Sequence, residues 1–158
     1  MITPVEKKGL RNKLLDACMA KQQFLIDDFR DRIKTLIEPE GLGNEEAYDN
    51  TDVAVNSSKV AEINTLNNQL AFANAELAKL ESLKLKQESD HNHVAPGAVV
   101  VTNHSTFFIS ASLEKLIVDG HVYMGISTSS PLYHAMQQKV KGETFSFKGI
   151  EYKIKDIF

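Results

Sequence analysis

The spacing of apolar residues changes near residue 90 of this 158-residue chain. Before that point, apolar residues recur every three or four positions, which is the period of an amphipathic helix. After it, short apolar runs alternate with polar positions between turns that contain Gly or Pro, which is typical of strands. The pattern predicts an α+β protein, with a helical hairpin over residues 1–90 and a second domain over residues 94–158.

The first helix is predicted over residues 4–37. Thr3 and Glu6 have the spacing of a capping box, and Pro4 suits the first helical position. Pro39 is expected to end the helix, because proline disfavours helical geometry in the residue before it. The apolar stripe of this helix consists of Leu15, Cys18, Gln22, Leu25, Phe29 and Leu36, widened by Ile26 and Ile33.

The second helix is predicted from about Ala54 to about Gln87. Its apolar residues alternate steps of three and four, which is the pattern of a coiled-coil seam. We expect the two helices to pair as an antiparallel coiled coil. At 1.5 Å per residue each helix would be about 50 Å long, longer than a small core needs. The seam residues are Ile63, Leu66, Leu70, Ala73, Leu77 and Leu80.

The tip of this predicted hairpin, residues 38–53, holds six acidic residues and no Lys or Arg. Acids three residues apart share one side of a helical turn, and Glu46 with Asp49 and Asp49 with Asp52 have that spacing. Clustered negative charges repel each other unless a cationic group meets them. The tip is therefore a candidate site for meeting a cation, and the alternative is a solvated polar loop.

The second domain is predicted to be a small, mostly antiparallel sheet with one short helix. Asp119-Gly120 lies between two apolar runs, which is a strong hairpin signal, and Lys148-Gly149 separates the last two strands. Ser130 is expected to cap a helix that begins at Pro131 and runs to about Gln138. Further strands are expected at residues 98–101 and 106–110.

Composition narrows the class of protein. A single cysteine, Cys18, excludes a disulfide within the chain, and burial in the seam is expected for it. The chain contains no run of 18 apolar residues, so no membrane span is predicted. The N-terminus lacks the apolar core of a signal peptide, so a cytoplasmic location is expected. A net charge of −3 argues against a nucleic-acid binder that relies on charge alone. His91 and His93 are too few ligands to predict a metal site.

One stretch resembles a known family. Residues 126–143 read ISTSSPLYHAMQQKVKGE, which is similar, without gaps, to the signature I-S-P-D-S-P-L-G-K-A-L-L-G-K-K-V-G-D of the Gre-type transcript cleavage factors. The departures are Thr128, Tyr133 and Gln138, and residues 43–49 do not reproduce the family's tip motif. The matching residues are Ile126, Ser127, Ser130, Pro131, Leu132, Ala135, Lys139 and Gly142.

The resemblance implies an antiparallel coiled coil joined to an FKBP-like domain. In that family the globular domain docks on RNA polymerase, the coiled coil enters the secondary channel, and tip carboxylates help to hold a second Mg²⁺ near the nascent RNA 3′ end. It implies an accessory factor rather than an enzyme, acting as a monomer with no cofactor of its own. Carried over to this chain, the assisting acids and Mg²⁺ ligands would be Asp49 and Glu46, joined by Asp52 as an assisting acid. The polymerase-docking turn would be Ser130, Pro131 and Leu132.

Several alternatives remain open from the sequence. The protein could bind the polymerase without stimulating cleavage, as a competitor of true Gre factors. It could be an FKBP-like chaperone or prolyl isomerase, although this chain has no Trp to form the floor typical of isomerase pockets. The coiled-coil seam could also pair two copies of the chain. Within the docking turn, Ser130 and Pro131 could serve only as a helix start and Leu132 only as core.

Overall fold

The computed structural model describes residues 3–38, 50–86, 90–113 and 115–158, without the side chains of residues 50–56. Two long helices come first, α1 (Pro4–Ile37) and α2 (Asn50–Leu85). The bounds of α1 agree with the prediction, whereas α2 begins four residues earlier than expected and ends two residues earlier. None of the described helices has the length and apolar character needed to cross a membrane.

The predicted capping box at the start of α1 is confirmed. The main-chain N–H of Thr3 donates to Glu6 Oε2 at 2.6 Å, and the N–H of Glu6 donates to Thr3 Oγ1 at 3.2 Å. These two bonds satisfy N–H groups that the helix itself leaves without partners. The negative charge of Glu6 also lies in the first turn, where it stabilises the helix dipole.

Six strands and one short helix follow. They are β1 (Val99–Thr102), β2 (Thr106–Ser110), β3 (Leu116–Val118), β4 (His121–Ser127), α3 (Pro131–Met136), β5 (Thr144–Phe147) and β6 (Ile150–Ile157). The strands form one sheet in the order β3-β4-β2-β1-β6-β5. The predicted α+β class and the short helix are confirmed, although α3 ends two residues before Gln138.

One pair of strands, β2 and β4, is parallel, and the other pairings are antiparallel. The parallel pair arises because the chain leaving β2 crosses the end of β4, forms β3 at the sheet edge, and returns through a tight turn. That turn, Asp119-Gly120, has φ values of 51° and 78°, and Lys148-Gly149 has φ values of 49° and 77°. Positive φ at both central residues is the geometry of two-residue hairpins, so both predicted turns are confirmed.

The crossing over β4 depends on Gly125. A Cβ atom at this position would lie 2.8 Å from the carbonyl oxygen of Ala111 and 2.9 Å from that of Leu113. These oxygens belong to main chain, which cannot move aside as a flexible side chain can. Only glycine therefore lets the crossing segment pass this close to β4.

The residues divide into two compact units, which we call the sheet unit (Met1–Lys21 and Leu77–Phe158) and the helical unit (Gln22–Glu76). In the sheet unit, one face of the sheet packs against the start of α1 and the end of α2, and the other face packs against α3. The predicted division into residues 1–90 and 94–158 is a different partition and stays a prediction. The first face buries Leu14, Leu15, Cys18, Leu80, Val99, Phe108, Leu116, Val118, Tyr123 and Phe158. The second face buries Val94, Val100, Phe107, Ile109, Ile126, Tyr133, Met136, Phe145, Tyr152 and Ile154.

In the helical unit, α1 and α2 pair in an antiparallel sense. Gln22 of α1 bonds to Ala73 of α2, and further along α1 the side chain of Ile33 shares a small groove with Leu70. The prediction that Leu25 belongs to the apolar stripe of α1 was wrong. Leu25 is 37% exposed, whereas Ile26, four residues after Gln22, is only 1% exposed. The helical period of 3.6 residues turns Leu25 to the edge of the contact.

Candidate functional site

The predicted tip acids lie largely outside the described residues. Glu46 and Asp49, together with Tyr48, fall in the range 39–49, outside the described residues. Asp52 belongs to the first turn of α2, but its side chain is not among those described. The role of these carboxylates therefore stays a prediction.

The predicted docking turn is well defined. Ser130 occupies the N-cap of α3, with φ −76° and ψ 148°, and Pro131 follows inside the helix start. The Ser130 hydroxyl donates to the carbonyl oxygen of Ser127 at 2.8 Å and accepts from the N–H of Tyr133 at 3.2 Å. One hydroxyl thus links the end of β4 to the start of α3 and caps the helix.

A second serine pair tightens the same turn. Ser127 is 3% exposed, and its Oγ lies 2.8 Å from Ser129 Oγ while accepting from the N–H of Ser129 at 3.2 Å. Sequence reasoning matched Ser127 to the family signature but gave it no role. Its position at the last residue of β4, just before a Ser-rich stretch, was the available signal.

Pro131 and Leu132 differ in exposure. Pro131 is exposed and available to a partner, whereas Leu132 is half-buried and packs against the second face of the sheet. The alternative interpretation of Leu132 as core is therefore partly correct. His134, also exposed, follows within the same short helix.

The structure shows the surroundings of one departure from the family signature, Tyr133, and the backbone conformation of another, Gln138. Tyr133 stands where the signature has its first Gly, and its ring is buried on the second face of the sheet. Gln138 stands where the signature has its second Gly, and its φ is 65°. That conformation is easy for glycine and unfavourable for other residues, so Gln138 introduces strain just after α3.

Sequence reasoning missed an ion pair between a buried arginine near the start of α1 and a partly exposed aspartate. Arg11 is 1% exposed, and its Nη1 donates to Asp90 Oδ1 at 2.6 Å. Burial lowers the pKa of the neighbouring His91, and the charges of Arg11 and His93 lower it further against the opposing effect of Asp90. The signal in the sequence was the position of Arg11, four residues before Leu15 and so in line with the stripe of α1.

Weaker polar contacts also join α1 to the rest of the sheet unit. Lys13 Nζ lies 2.9 Å from Asp119 Oδ2 in the β3–β4 turn, and Lys7 Nζ lies 3.4 Å from Asp156 Oδ2 in β6. The Lys21 ammonium donates to the carbonyl oxygen of Lys115. Exposed ion pairs add little stability, so the apolar core carries most of this packing.

Cys18 is buried in the core of the sheet unit, as expected. Its Sγ lies 3.6 Å from Ser110 Oγ, and burial raises its pKa to about 11. The thiolate is the reactive form of cysteine, so this thiol is unreactive at neutral pH. Cys18 is a packing residue.

The described side chains do not form a metal-binding cluster. Within the described ranges, no three His, Cys, Asp or Glu side chains come together as they would around a metal ion. His93 Nδ1 instead lies 2.7 Å from Asn92 Oδ1. The predicted Mg²⁺ ligands Glu46 and Asp49 lie outside those ranges.

Charge is unevenly distributed between the two units. The helical unit contains 4 basic and 11 acidic residues, a net charge of −7, whereas the sheet unit contains 14 basic and 10 acidic residues, a net charge of +4. The overall charge of −3 conceals this difference. Each unit therefore favours a partner surface of opposite sign.

No protein family matches the chain by sequence, and no curated protein matches it. Among solved structures, GreA factor homolog 1 of Thermus thermophilus is 18% identical, over 91% of this chain and 92% of that chain, with a TM-score of 0.33. A likeness at this identity and TM-score supports no conclusion about family or function.

Proposed function

We propose that this protein is a transcription elongation factor that binds RNA polymerase at the secondary channel and stimulates cleavage of backtracked RNA. It acts as a monomer and as an accessory factor, and the hydrolysis is performed by the polymerase. The observation that carries the proposal is the charge difference between the units, −7 for the helical unit against +4 for the sheet unit.

The two long helices support this proposal. With 34 residues in α1 and 36 in α2, each helix extends for about 50 Å. The acidic segment 38–53 follows the end of α1, at Ile37, and includes the first turn of α2, which begins at Asn50. A helix pair can carry such a segment into a narrow channel while its other end remains outside.

The chemistry proposed for the acidic segment follows from the ligands that Mg²⁺ prefers. Mg²⁺ binds carboxylate and phosphate oxygens and is commonly held by one or two carboxylates. Asp49 and Glu46 would share a Mg²⁺ with the polymerase active site, and Asp52 would assist. Two metal ions that flank a phosphate stabilise both the attacking and the leaving oxygen, which promotes hydrolysis near the RNA 3′ end.

The proposed docking site is the turn at Ser130, Pro131 and Leu132. Its support is the hydrogen bonding of Ser130 to Ser127 and Tyr133, which holds Pro131 in a fixed, exposed position. A surface that is already ordered before binding loses less conformational entropy in a complex. The net positive charge of the sheet unit suits an acidic surface around such a docking point.

The test is a cleavage assay with cognate RNA polymerase halted in a backtracked complex. The wild-type protein is expected to shorten the RNA from its 3′ end, and the variant Glu46→Ala/Asp49→Ala is expected to bind without cleaving. The matched control, Asp31→Ala/Glu62→Ala, removes two exposed acids from the same unit outside the acidic segment and should retain cleavage. Failure of the wild-type protein to bind the polymerase would contradict the proposal.

A second candidate is a regulator that occupies the same channel without stimulating cleavage. The sequence of residues 43–49 favours it, because this stretch departs from the tip motif of the cleavage factors. In this case the wild-type protein would bind the polymerase and suppress cleavage by a Gre factor added in competition. Binding without any RNA shortening would decide for this candidate.

A further inference from the structure

We propose that the groove between the first turns of α1 and the first face of the sheet binds a linear aliphatic diamine, an apolar chain with an ammonium group at each end. We call it the α1–sheet groove. Its volume is about 750 Å³, within the range typical of small-molecule sites. Its lining residues all belong to the sheet unit and include the apolar side chains of Leu10, Val99 and Val101.

The α1–sheet groove is acidic, although the sheet unit around it has a net charge of +4. Among the described residues that line it, the carboxylates are those of Glu6, Asp119 and Asp156, and the basic residues are Lys13 and His121. Glu6 Oε2 accepts from a main-chain N–H, and Asp119 Oδ2 binds Lys13. The other oxygens of these two carboxylates, Oε1 and Oδ1, have no hydrogen-bond partner among the described residues. Carboxylate oxygens of this kind favour a cationic donor.

The spacing of Glu6 and Asp119 suits a ligand with two ammonium groups. Lys13 Nζ lies 2.9 Å from Asp119 Oδ2, and Lys13 follows Glu6 by two turns of α1. At 1.5 Å per residue, the two carboxylates are therefore about 10 Å apart along the helix axis. Between them Gly9 leaves the wall of the groove open, because nothing lies within 4 Å of a Cβ atom built there. A chain of methylene groups can lie along α1 in this space.

The side chain of Tyr123 gives the α1–sheet groove a buried polar group without a partner. Tyr123 lines the groove and is 7% exposed, and its hydroxyl makes no hydrogen bond to any described residue. Burial and the negative charge of Asp119 raise the pKa of Tyr123, so the phenol keeps its proton at neutral pH. A buried hydroxyl that makes no hydrogen bond is unfavourable. An ammonium group beside Tyr123 and Asp119 donates to both the phenol oxygen and the carboxylate.

An NMR titration of the isotope-labelled full chain with cadaverine, a linear diamine, tests the proposal. Saturable shifts are expected, confined to amide signals of residues around the α1–sheet groove. Pentylamine lacks the second ammonium group, and ethylenediamine has both groups but is too short to span the groove. Each should bind about tenfold more weakly than cadaverine. Equal affinity for ethylenediamine and cadaverine, or no saturable binding of cadaverine, would overturn the proposal.

Variants of the groove separate this site from general attraction between opposite charges. Gly9→Leu fills the groove with a side chain, and Tyr123→Phe removes only the hydroxyl, so each should weaken cadaverine binding about tenfold. The matched control is Asp16→Asn, which removes another lysine-paired acid of α1 and should bind as the wild-type protein does. If Gly9→Leu does not fold, Asp119→Asn gives the same readout at an exposed position. Unchanged binding in the groove variants, or an equal loss in the control, would overturn the proposal.

Discussion

The main-chain N–H of Gly125 donates to the carbonyl oxygen of Leu113 at 2.9 Å, where the chain leaving β2 crosses β4. This hydrogen bond fixes the crossing segment that places β3 at the edge of the sheet. The crossing is what allows β2 and β4 to run parallel, since the chain passes β4 and forms β3 before it turns back into β4. The absence of a side chain at Gly125 therefore allows the crossing segment to lie this close to β4.

Gly125→Ala should destabilise the protein by about 2 kcal/mol, the cost typical of overpacking a well-packed site. The added Cβ would meet two main-chain oxygens within 3 Å, and neither can move without shifting the crossing segment. Urea denaturation followed by circular dichroism measures the change. A variant as stable as the wild-type protein would show that the crossing can shift freely.

In contrast to Gly125→Ala, the substitution Gly9→Ala should stabilise the protein, by about 0.5–1 kcal/mol. Gly9 lies inside α1, and nothing lies within 4 Å of a Cβ added there. Alanine favours the helix because glycine loses more backbone entropy on folding. The same urea titration gives the result, and a loss of stability would contradict the helical environment assigned to residue 9.

Gln138→Gly should stabilise the protein by about 1 kcal/mol, because φ at this residue is 65°. The matched control is Gln137→Gly, where φ is −56° and glycine brings only its entropic cost. The first variant should unfold at a higher urea concentration than the wild-type protein and the second at a lower one. If both variants lose stability, residue 138 does not carry the strain.

The stability of the protein should fall as the pH drops through about 6.5, the ordinary pKa of histidine, towards the lower pKa of folded His91. The folded state binds the proton less readily than the unfolded state, because burial and the charges of Arg11 and His93 oppose it. Protonation therefore favours unfolding in this range. His91→Gln should flatten the pH dependence of the urea midpoint between pH 7 and pH 5. An identical pH profile in the two proteins would refute the role of His91.

The local features of the fold were predictable, and the long-range ones were not. The capping box at Thr3, the two glycine turns and the N-cap at Ser130 depend on neighbours within a few residues, so sequence spacing identifies them. Gly125 and the pairing of Arg11 with Asp90 depend on segments far apart in the chain. Without a topology, nothing in the sequence indicates which glycine lies against the segment between β2 and β3, or which aspartate reaches a buried arginine.

In the candidate site, too, the local features were predictable from the sequence and those that depend on distant residues were not. The N-cap at Ser130 and the helix start at Pro131 were predicted correctly because capping chemistry is local, whereas the docking role of Ser130, Pro131 and Leu132 stays a prediction. The exposure of Pro131 and the partial burial of Leu132 became known only from the packing of α3 on the sheet. The roles of Asp49, Glu46 and Asp52 stay predictions, since they depend on a partner as well as on this chain.

The most direct test of the central claim is to locate the acidic segment in the polymerase complex. An iron chelate attached at Ala47→Cys generates hydroxyl radicals that cut nearby RNA, and the buried thiol of Cys18, with its pKa of about 11, should not be labelled. The chelate is expected to cut the nascent RNA close to its 3′ end. A chelate at Ser146→Cys, on an exposed position of β5, should leave the RNA intact. If the RNA is uncut from position 47, or is cut from position 146 instead, the acidic segment does not reach the active site.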